Sequence, residues 1–420
     1  MRKLKLILQD RGLRKKIFFV FLIFVIFRIG ATIPIPGVDV VRLKSFFSSN
    51  QFLGLLNVIS GGAMSNLSIM MLGVAPYITA SIIMQLLTMI FPALKAIYHE
   101  EGEAGRRKFN QYSRILTLPL ALLQGFGFLT ILSRQGVFLN VSLFDRFTNV
   151  LIIAAGSIFL MWLGELISEY GIGNGISLLI FAGILAGIPL AAQQTVLAFD
   201  YSQIPVILGV IVAGFFVIAG VVLITEAERP IPVSYAKKIR GTKVLGGVST
   251  YLPLRVNQAG VIPIIFAVSI LLFPQMLINI LSATNISFFS RISSVVLSFL
   301  NNSLVYGLSY FILVFLFTYF YTAVTFDPDA ISSNLQKSGA FIPGIRPGAA
   351  TSNFLYKIIS RITLTGAFFL GIIAVLPLLV KAITGLDALT IGGTALLIAV
   401  SVVLETIKQI EAQVSMREYE

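Results

Sequence analysis

Apolar residues in this chain do not alternate with polar ones as in a half-buried strand; they run on unbroken, 17–23 residues at a time. Ten such runs recur, roughly Ile17–Ile33, Val74–Phe91, Ile115–Leu132, Val150–Ile167, Ile176–Ala192, Ile204–Thr225, Ala259–Leu281, Leu304–Val324, Ile362–Val380 and Ala388–Ile407. At ~1.5 Å per residue each can cross a ~30 Å hydrocarbon core. Unsatisfied backbone groups are too costly in lipid for anything but helices or a closed barrel, and runs of this length predict helices. The expected fold is an all-α polytopic membrane protein with ten transmembrane helices. The first run follows Arg11, Arg14, Lys15 and Lys16 and resembles the start of a signal peptide. No small-x-small cleavage site follows it, which predicts a retained helix.

Composition narrows the chemistry. Charged residues make up 12% of the 420 and apolar ones 57%, where a soluble domain has about 25% charged. A water-soluble enzyme is excluded. There is no Cys and one His, which removes disulfide staples, Cys-ligated metals and His-cluster metal sites. His99 lies among Glu100, Glu101 and Glu103 in a solvated stretch. No catalytic constellation, metal site or cofactor is expected.

Charge also sets an orientation. With ten spans both termini share a side, and 24 Lys and Arg fall on that side against 6 on the other, Arg28 lying within a span. That asymmetry predicts cytoplasmic termini. The basic surplus then faces anionic headgroups and RNA. Arg28 lies near the outer end of its helix, from which its long side chain can snorkel to the interface. Glu165, Glu169, Glu226 and Glu405 fall at cytoplasmic helix ends. No mid-membrane acid or His remains to relay protons, which argues against an ion-coupled secondary transporter. That reading stays as the alternative, because backbone carbonyls can bind Na⁺.

Four local patterns bear on mechanism. Gly73–Ala80 and Gly260–Ala267 both read G-V-x-P-x-I-x-A, five spans apart. The pattern favours two inverted halves, 1–200 and 201–420, with the working site at their interface near the midplane. Ile59–Met71 is too Gly/Ser-broken to span yet apolar enough to be re-entrant. Two long cytoplasmic loops, about 226–258 and 325–361, carry basic residues beside Gly/Pro turns, which favours docking of an anionic partner. Tyr170–Ile176 is Gly-rich but lacks the Lys and Ser/Thr of a phosphate loop, so it reads as a tight turn.

Taken in order along the chain, Phe27-Arg28-Ile29-Gly30, Ile33-Pro34-Ile35-Pro36-Gly37, Ser60-Gly61-Gly62-Ala63, Pro76–Ile83, Glu101–Lys108, Met161–Glu165, Gly171–Ser177, Ala259–Pro263 and Lys337–Gly348 resemble the SecY family of preprotein translocase subunits. The resemblance implies an hourglass channel between two five-helix halves. Unfolded secretory chains would pass through it, and hydrophobic segments would leave sideways into lipid.

Carried onto this sequence, the resemblance implies a pore ring of Val74, Ile78, Ile180, Ile265 and Ile398 with Ile176 beside it. It implies a plug over 60–71 (Ser60, Gly61, Gly62, Ala63, Met64, Ser65, Asn66, Leu67, Ser68, Ile69, Met70, Met71), whose small residues suit a short mobile helix. It implies a lateral gate along the second and seventh spans, where Thr79, Ser81, Gln85 and Gln275 are polar enough to bond across the seam. Docking of a translating ribosome and of the motor ATPase SecA would use Lys237, Lys238, Arg240, Lys243, Arg255, Lys337 and Arg346. Pro230 after Arg229 and Thr242 before Lys243 depart from the family pattern, which leaves open the leading side chain of that loop. The same resemblance implies the small subunits SecE and SecG, signal sequences and precursors as partners, ATP hydrolysis by a partner, and a bacterial inner membrane or a thylakoid.

Overall fold

The computed structural model describes residues 10–37, 63–64, 66–99, 101–134, 142–197, 204–235, 238–240, 243–245, 249–281, 302–384 and 392–418. In chain order the elements are α1 (Arg11–Thr32), α2 (Ala75–Ile90), α3 (Pro92–His99), α4 (Gly102–Arg134), α5 (Leu143–Tyr170), α6 (Gly175–Leu197) and α7 (Ile204–Glu226). Then come β1 (Glu228–Tyr235), β2 (Lys238–Arg240), β3 (Lys243–Leu245), β4 (Ser249–Arg255), α8 (Ile262–Leu281), α9 (Ser303–Thr325), α10 (Pro328–Lys337), β5 (Ala340–Phe341), α11 (Ala349–Thr384) and α12 (Gly392–Glu418). All ten apolar runs lie on a long helix; only α3 and α10 among the described helices were not foreseen.

By length and composition alone, four described stretches suffice to cross a membrane: Gly102–Thr130, Leu143–Tyr170, Ser303–Lys337 and Ala349–Val380. Ala75–Ile90 with Pro92–Tyr98 makes a fifth if the 116° bend between them is counted within one span, and Gly175–Pro189, Ile211–Glu226 and Ile262–Leu271 are apolar but shorter. The faces left outermost are apolar. Phe18 and Phe21 on α1, and Phe215, Phe216 and Leu223 on α7, are all more than 60% exposed, as a lipid-facing surface requires. Hydroxyls within the bundle bond back to their own helices: Ser113 donates to the Phe109 carbonyl, Thr117 to Ser113, Thr318 to Val314 and Thr322 to Thr318. That local bond satisfies a hydroxyl where no water reaches.

Helices α4, α11 and α12 extend well beyond their apolar runs. Hydropathy reports only the part of a helix in lipid, whereas Arg, Lys, Gln and Glu are good helix formers that let it continue into water. Packing falls into two groups. In one, α4 lies against α2 and α5, and α5 also packs on α1 and α6; in the other, α9 lies against α8 and α11, and α12 against α7 and α11. The groups meet along two seams, where α8 touches α2 and α4 and where α12 touches α6.

The repeated octapeptide reappears as repeated backbone geometry. Gly73 has φ 58° and Gly260 φ 61°, each two residues before a helix whose first turn contains Pro. The left-handed glycine turns the chain, and Pro needs no N–H at that point in the helix. Val74 and Val261 are both buried, as are Ile78 and Ile265. Each pair is joined by the first helical bond, Ile78 N–H to the Val74 carbonyl at 3.1 Å and Ile265 N–H to Val261 at 3.3 Å.

A Cβ at Gly260 would meet nothing within 4 Å, so replacing it isolates backbone strain from crowding. Gly260→Ala is expected to cost about 1–2 kcal/mol. Thermal unfolding of the detergent-solubilised chain checks this; an unchanged midpoint would contradict the left-handed geometry.

Candidate functional site

The main core cluster forms where the two groups meet. Val74 caps α2 and Ile78 follows one turn later; Ile180 stands on the second turn of α6, Ile265 on the first of α8 and Ile398 on the second of α12. All five are under 9% exposed and belong to one cluster, with Ile176 packed against it. Every member is a branched aliphatic side chain, so the collar offers no hydrogen bond to water or to a peptide.

The Gly-rich turn is what brings α6 to this point. Gly173 adopts φ 86°, and a Cβ at Gly175 would stand 1.8 Å from the Gly164 carbonyl oxygen. The Asn174 Oδ1 accepts from Ile176 N–H at 3.1 Å and Ser177 N–H at 3.2 Å, and Ser168 Oγ accepts from Gly175 N–H at 2.9 Å. The turn is tight, as its sequence predicts, and leaves Ile176 and Ile180 in the first turns of α6. A cavity of about 530 Å³ ends on Ile78, Ile176, Ile180 and Ile265. Arg114, Glu165 and Glu169 line it as well, and Arg114 Nε donates to the Glu165 carboxylate across α4 and α5.

Of the segment expected to move, Ser60, Gly61, Gly62 and Ser65 lie outside the described residues. Ala63, Met64, Leu67, Ser68, Met70 and Met71 are buried, while Asn66 is exposed and Ile69 half-buried. Ala63 and Met70 join the collar's cluster; Met64, Leu67 and Met71 form a second one with Ile35, Leu132 and Ile153. The described part is a succession of turns with one isolated bridge, not the helix expected, and Leu67 sits in the left-handed region at φ 42°. Backbone pairing explains it. Ile35 N–H donates to the Leu67 carbonyl at 2.8 Å and Ile69 N–H to Ile33 at 3.0 Å, which holds 67–69 extended beside 33–35. Below that, Ser157 Oγ donates to the Gly73 carbonyl at 2.9 Å. A Cβ at Gly156 would stand 2.0 Å from the Ile69 carbonyl oxygen. This end of the segment is therefore anchored to α1 and α5, a clamp that sequence reading missed although Gly156-Ser157 stands in plain view.

The polar residues expected to bond across the seam between α2 and α8 are otherwise employed. Thr79 Oγ1 donates to the Ala75 carbonyl at 3.0 Å and accepts from Gln124 of α4 at 3.4 Å. Gln85 Nε2 donates to Ser81 Oγ at 3.4 Å within α2, and both residues line the cavity. Gln275 falls on the later turns of α8. Among the described residues no hydrogen bond from Thr79, Ser81 or Gln85 reaches α8. A Thr satisfied by its own helix has little to gain across a seam, and neighbouring Ile78, Ile82 and Ile265 pack in the apolar cluster.

The two basic loops turn out to be one small module. β1 pairs antiparallel with β4 from Glu228↔Arg255 to Ser234↔Ser249, and with β5 at Ser234↔Phe341 and Tyr235↔Ala340, so the second loop supplies a strand to the first. Ile231, Val233, Leu254, Ala340, Ile342, Leu355, Ile358 and Ile359 form its own core. The alternation of Ile231 and Val233 between prolines was the legible strand signal. Lys238, Arg240 and Lys243 stand on the β2–β3 ribbon, Arg240 opposite Lys243; Lys237 lies outside the described residues. Arg255 pairs with Glu228 at 3.3 Å, which ties it to the sheet. Lys337 ends α10 and is exposed, as is Arg346. The Arg346 carbonyl accepts from Thr351 Oγ1 at 2.9 Å and Ser332 Oγ donates to the Gly348 carbonyl at 2.7 Å. The Arg346 turn is thus fixed while its side chain stays in water.

Comparison with known proteins is consistent over the whole chain. The SecY family model matches residues 68–407. The chain is 42% identical to a protein translocase subunit SecY of Mycobacterium bovis over 98% of its length and 97% of that protein. It is 41% identical to that of Halalkalibacterium halodurans, covering 100% of this chain and 98% of the relative. Among solved structures, one described as a protein conducting channel superposes with TM-score 0.65 at 21% identity, covering 94% of this chain and 91% of the other. Sec61 in a canine ribosome-channel complex gives TM-score 0.63 at 20% identity with the same coverage.

Gly156→Ala forces a Cβ into the Ile69 carbonyl and is expected to destabilise by about 1–3 kcal/mol, the usual cost of overpacking. The thermal midpoint should fall and protease cleavage near residues 63–73 should rise. Unchanged cleavage would contradict the clamp.

Proposed function

The chain belongs to the SecY family, and from that premise we propose that it is the protein-conducting channel of a preprotein translocase. Unfolded polypeptides pass through it and hydrophobic segments are released sideways into lipid. One observation carries the reading: a collar of six branched aliphatic side chains, drawn from helices of both packing groups, forms the end of a water-sized cavity. Such a collar can part around a chain of any sequence, because it makes only weak dispersion contacts and holds no polar group. The two halves, 1–200 and 201–420, act as the jaws, with Val74/Ile78 and Val261/Ile265 as pseudo-symmetric members of the constriction.

In this reading residues 60–71 close the outer funnel at rest, and separation of α2 from α8 forms the lateral exit. Since none of Thr79, Ser81 and Gln85 is hydrogen-bonded to α8 among the described residues, the seam opens by parting apolar surfaces that lipid or a hydrophobic segment can cover equally well. The β1–β4–β5 module is the docking platform for the ribosome and for SecA, with Arg346 as the coupling side chain and Lys237, Lys238, Arg240, Lys243, Arg255 and Lys337 around it. The chain itself is a channel subunit, ATP hydrolysis belongs to the motor, and SecE and SecG complete the assembly. The location is a bacterial inner membrane, or a thylakoid if plastid-encoded, with both termini cytoplasmic. An ion-coupled carrier finds no support: the relatives are translocase subunits, and the collar has no group that could bind an ion.

Proteoliposomes holding the chain with its small subunits, given motor, ATP and an unfolded precursor, are expected to render the precursor protease-resistant. Arg346→Glu should lower that yield at least tenfold while leaving the thermal midpoint within about 0.5 kcal/mol-equivalent of the parent, as for an exposed residue. Protection that is absent from the parent, or undiminished in the variant, would count against the channel and the coupling role respectively.

A further inference from the structure

The cavity below the collar is two-faced. Its α8 wall presents Ile262, Ile265 and Phe266, whereas the α4–α5 wall presents Arg114, Glu165 and Glu169. In a chain of net charge +13, whose basic residues crowd the same side, this interior is not positive. Arg114 is taken up by Glu165, and Glu169 has no ion-pair partner among the described residues, so it sets the sign. A second acceptor is also uncommitted: Gln85 Oε1 lines the cavity shielded from solvent and accepts no hydrogen bond. The unspent polar atoms at Glu169 and Gln85 are both acceptors, matched to an N–H-rich cation, and they share one cavity with an apolar wall.

From this arrangement we propose that the cavity is a recognition site for the basic flank of an entering apolar segment, with Glu169 as its charge-selecting residue. The ligand class is a Lys- or Arg-bearing stretch followed by an apolar run, the pattern of a signal sequence's first two regions. The apolar run lies against Ile262, Ile265 and Phe266 beside the α2–α8 seam. Its cationic flank is held at Glu169, which keeps that end on the side where it entered. A carboxylate in a walled cleft attracts a cation more strongly than one on an open surface, because low-dielectric walls focus its field. Arg114 opposes a deeper position for the cation, so the pair of walls fixes register as well as sign. The inference rests on the channel reading above and adds to it the specificity of the cytoplasmic funnel.

The test uses the full chain with its partner subunits in proteoliposomes and two precursors differing only in the flank, one basic and one acidic. Glu169→Gln is expected to lower protection of the basic precursor about two- to fivefold, the range of a single partly exposed ion pair. Glu169→Lys should lower it further and raise protection of the acidic precursor. Equal losses for both precursors would mean a structural role for Glu169 and overturn the proposal, as would no change for either. If the parent protects neither precursor, the channel reading falls and this site with it, a result the variants alone cannot mimic.

Discussion

Water must be kept out of a passage that offers it no hydrogen bond, and the contact among Val74, Ile78, Ile180, Ile265 and Ile398 is where that constraint is met. Much of the surrounding architecture serves to bring those side chains together. The left-handed glycines at 73 and 260 turn the chain so that α2 and α8 begin with a valine against the collar and an isoleucine one turn on. The close approach of Gly175 to the Gly164 carbonyl sets α6 against α5. In lipid the hydrophobic effect does not hold helices to one another, so shape complementarity at small residues decides which helices touch. The glycines at 156, 164 and 175 are that complementarity.

Two further consequences follow from the same physics. Because hydroxyls inside the bundle are satisfied by their own helices, as at Ser113, Thr117, Thr318 and Thr322, polar residues need not bind helices across seams. Rigidity is concentrated elsewhere: in the pairing of 33–35 with 67–69, the Ser157 bond to Gly73, and the sheet that joins the two basic loops. Outside the lipid, where water competes for every polar group, the chain uses an ordinary apolar core under the sheet, with Ile231, Val233 and Leu254 facing Leu355 and Ile358. The basic groups are thereby displayed on a folded platform instead of a solvated loop.

The ten helices were legible because a lipid span is a uniform run of apolar residues, and nothing else in sequence looks like that. The repeat was legible too, since Gly and Pro are needed at fixed offsets from a helix start. Less was visible where identity of neighbours, not periodicity, decides. The β1–β5 pairing joins residues about a hundred apart, and the two-residue strand at Ala340–Phe341 carries no pattern of its own. The turns at 63–73 were expected as a helix because their composition is apolar; backbone partners at Ile33 and Ile35 determined otherwise. Thr79 was expected across a seam on polarity alone, yet polarity does not tell which neighbour a hydroxyl meets. The ring positions themselves came from resemblance, as an isoleucine in a pore reads in sequence like one in lipid.

The central claim is that the collar is the barrier to ions, and single-channel conductance in planar bilayers tests it most directly. The intact chain and a variant with Ile78→Ser and Ile265→Ser, the two pseudo-symmetric members, would be reconstituted and compared. The account predicts an electrically silent parent and flickering, poorly selective currents from the variant, because two hydroxyls at the constriction let water cross it. A variant that stays silent while folding and inserting normally would show that the seal lies elsewhere.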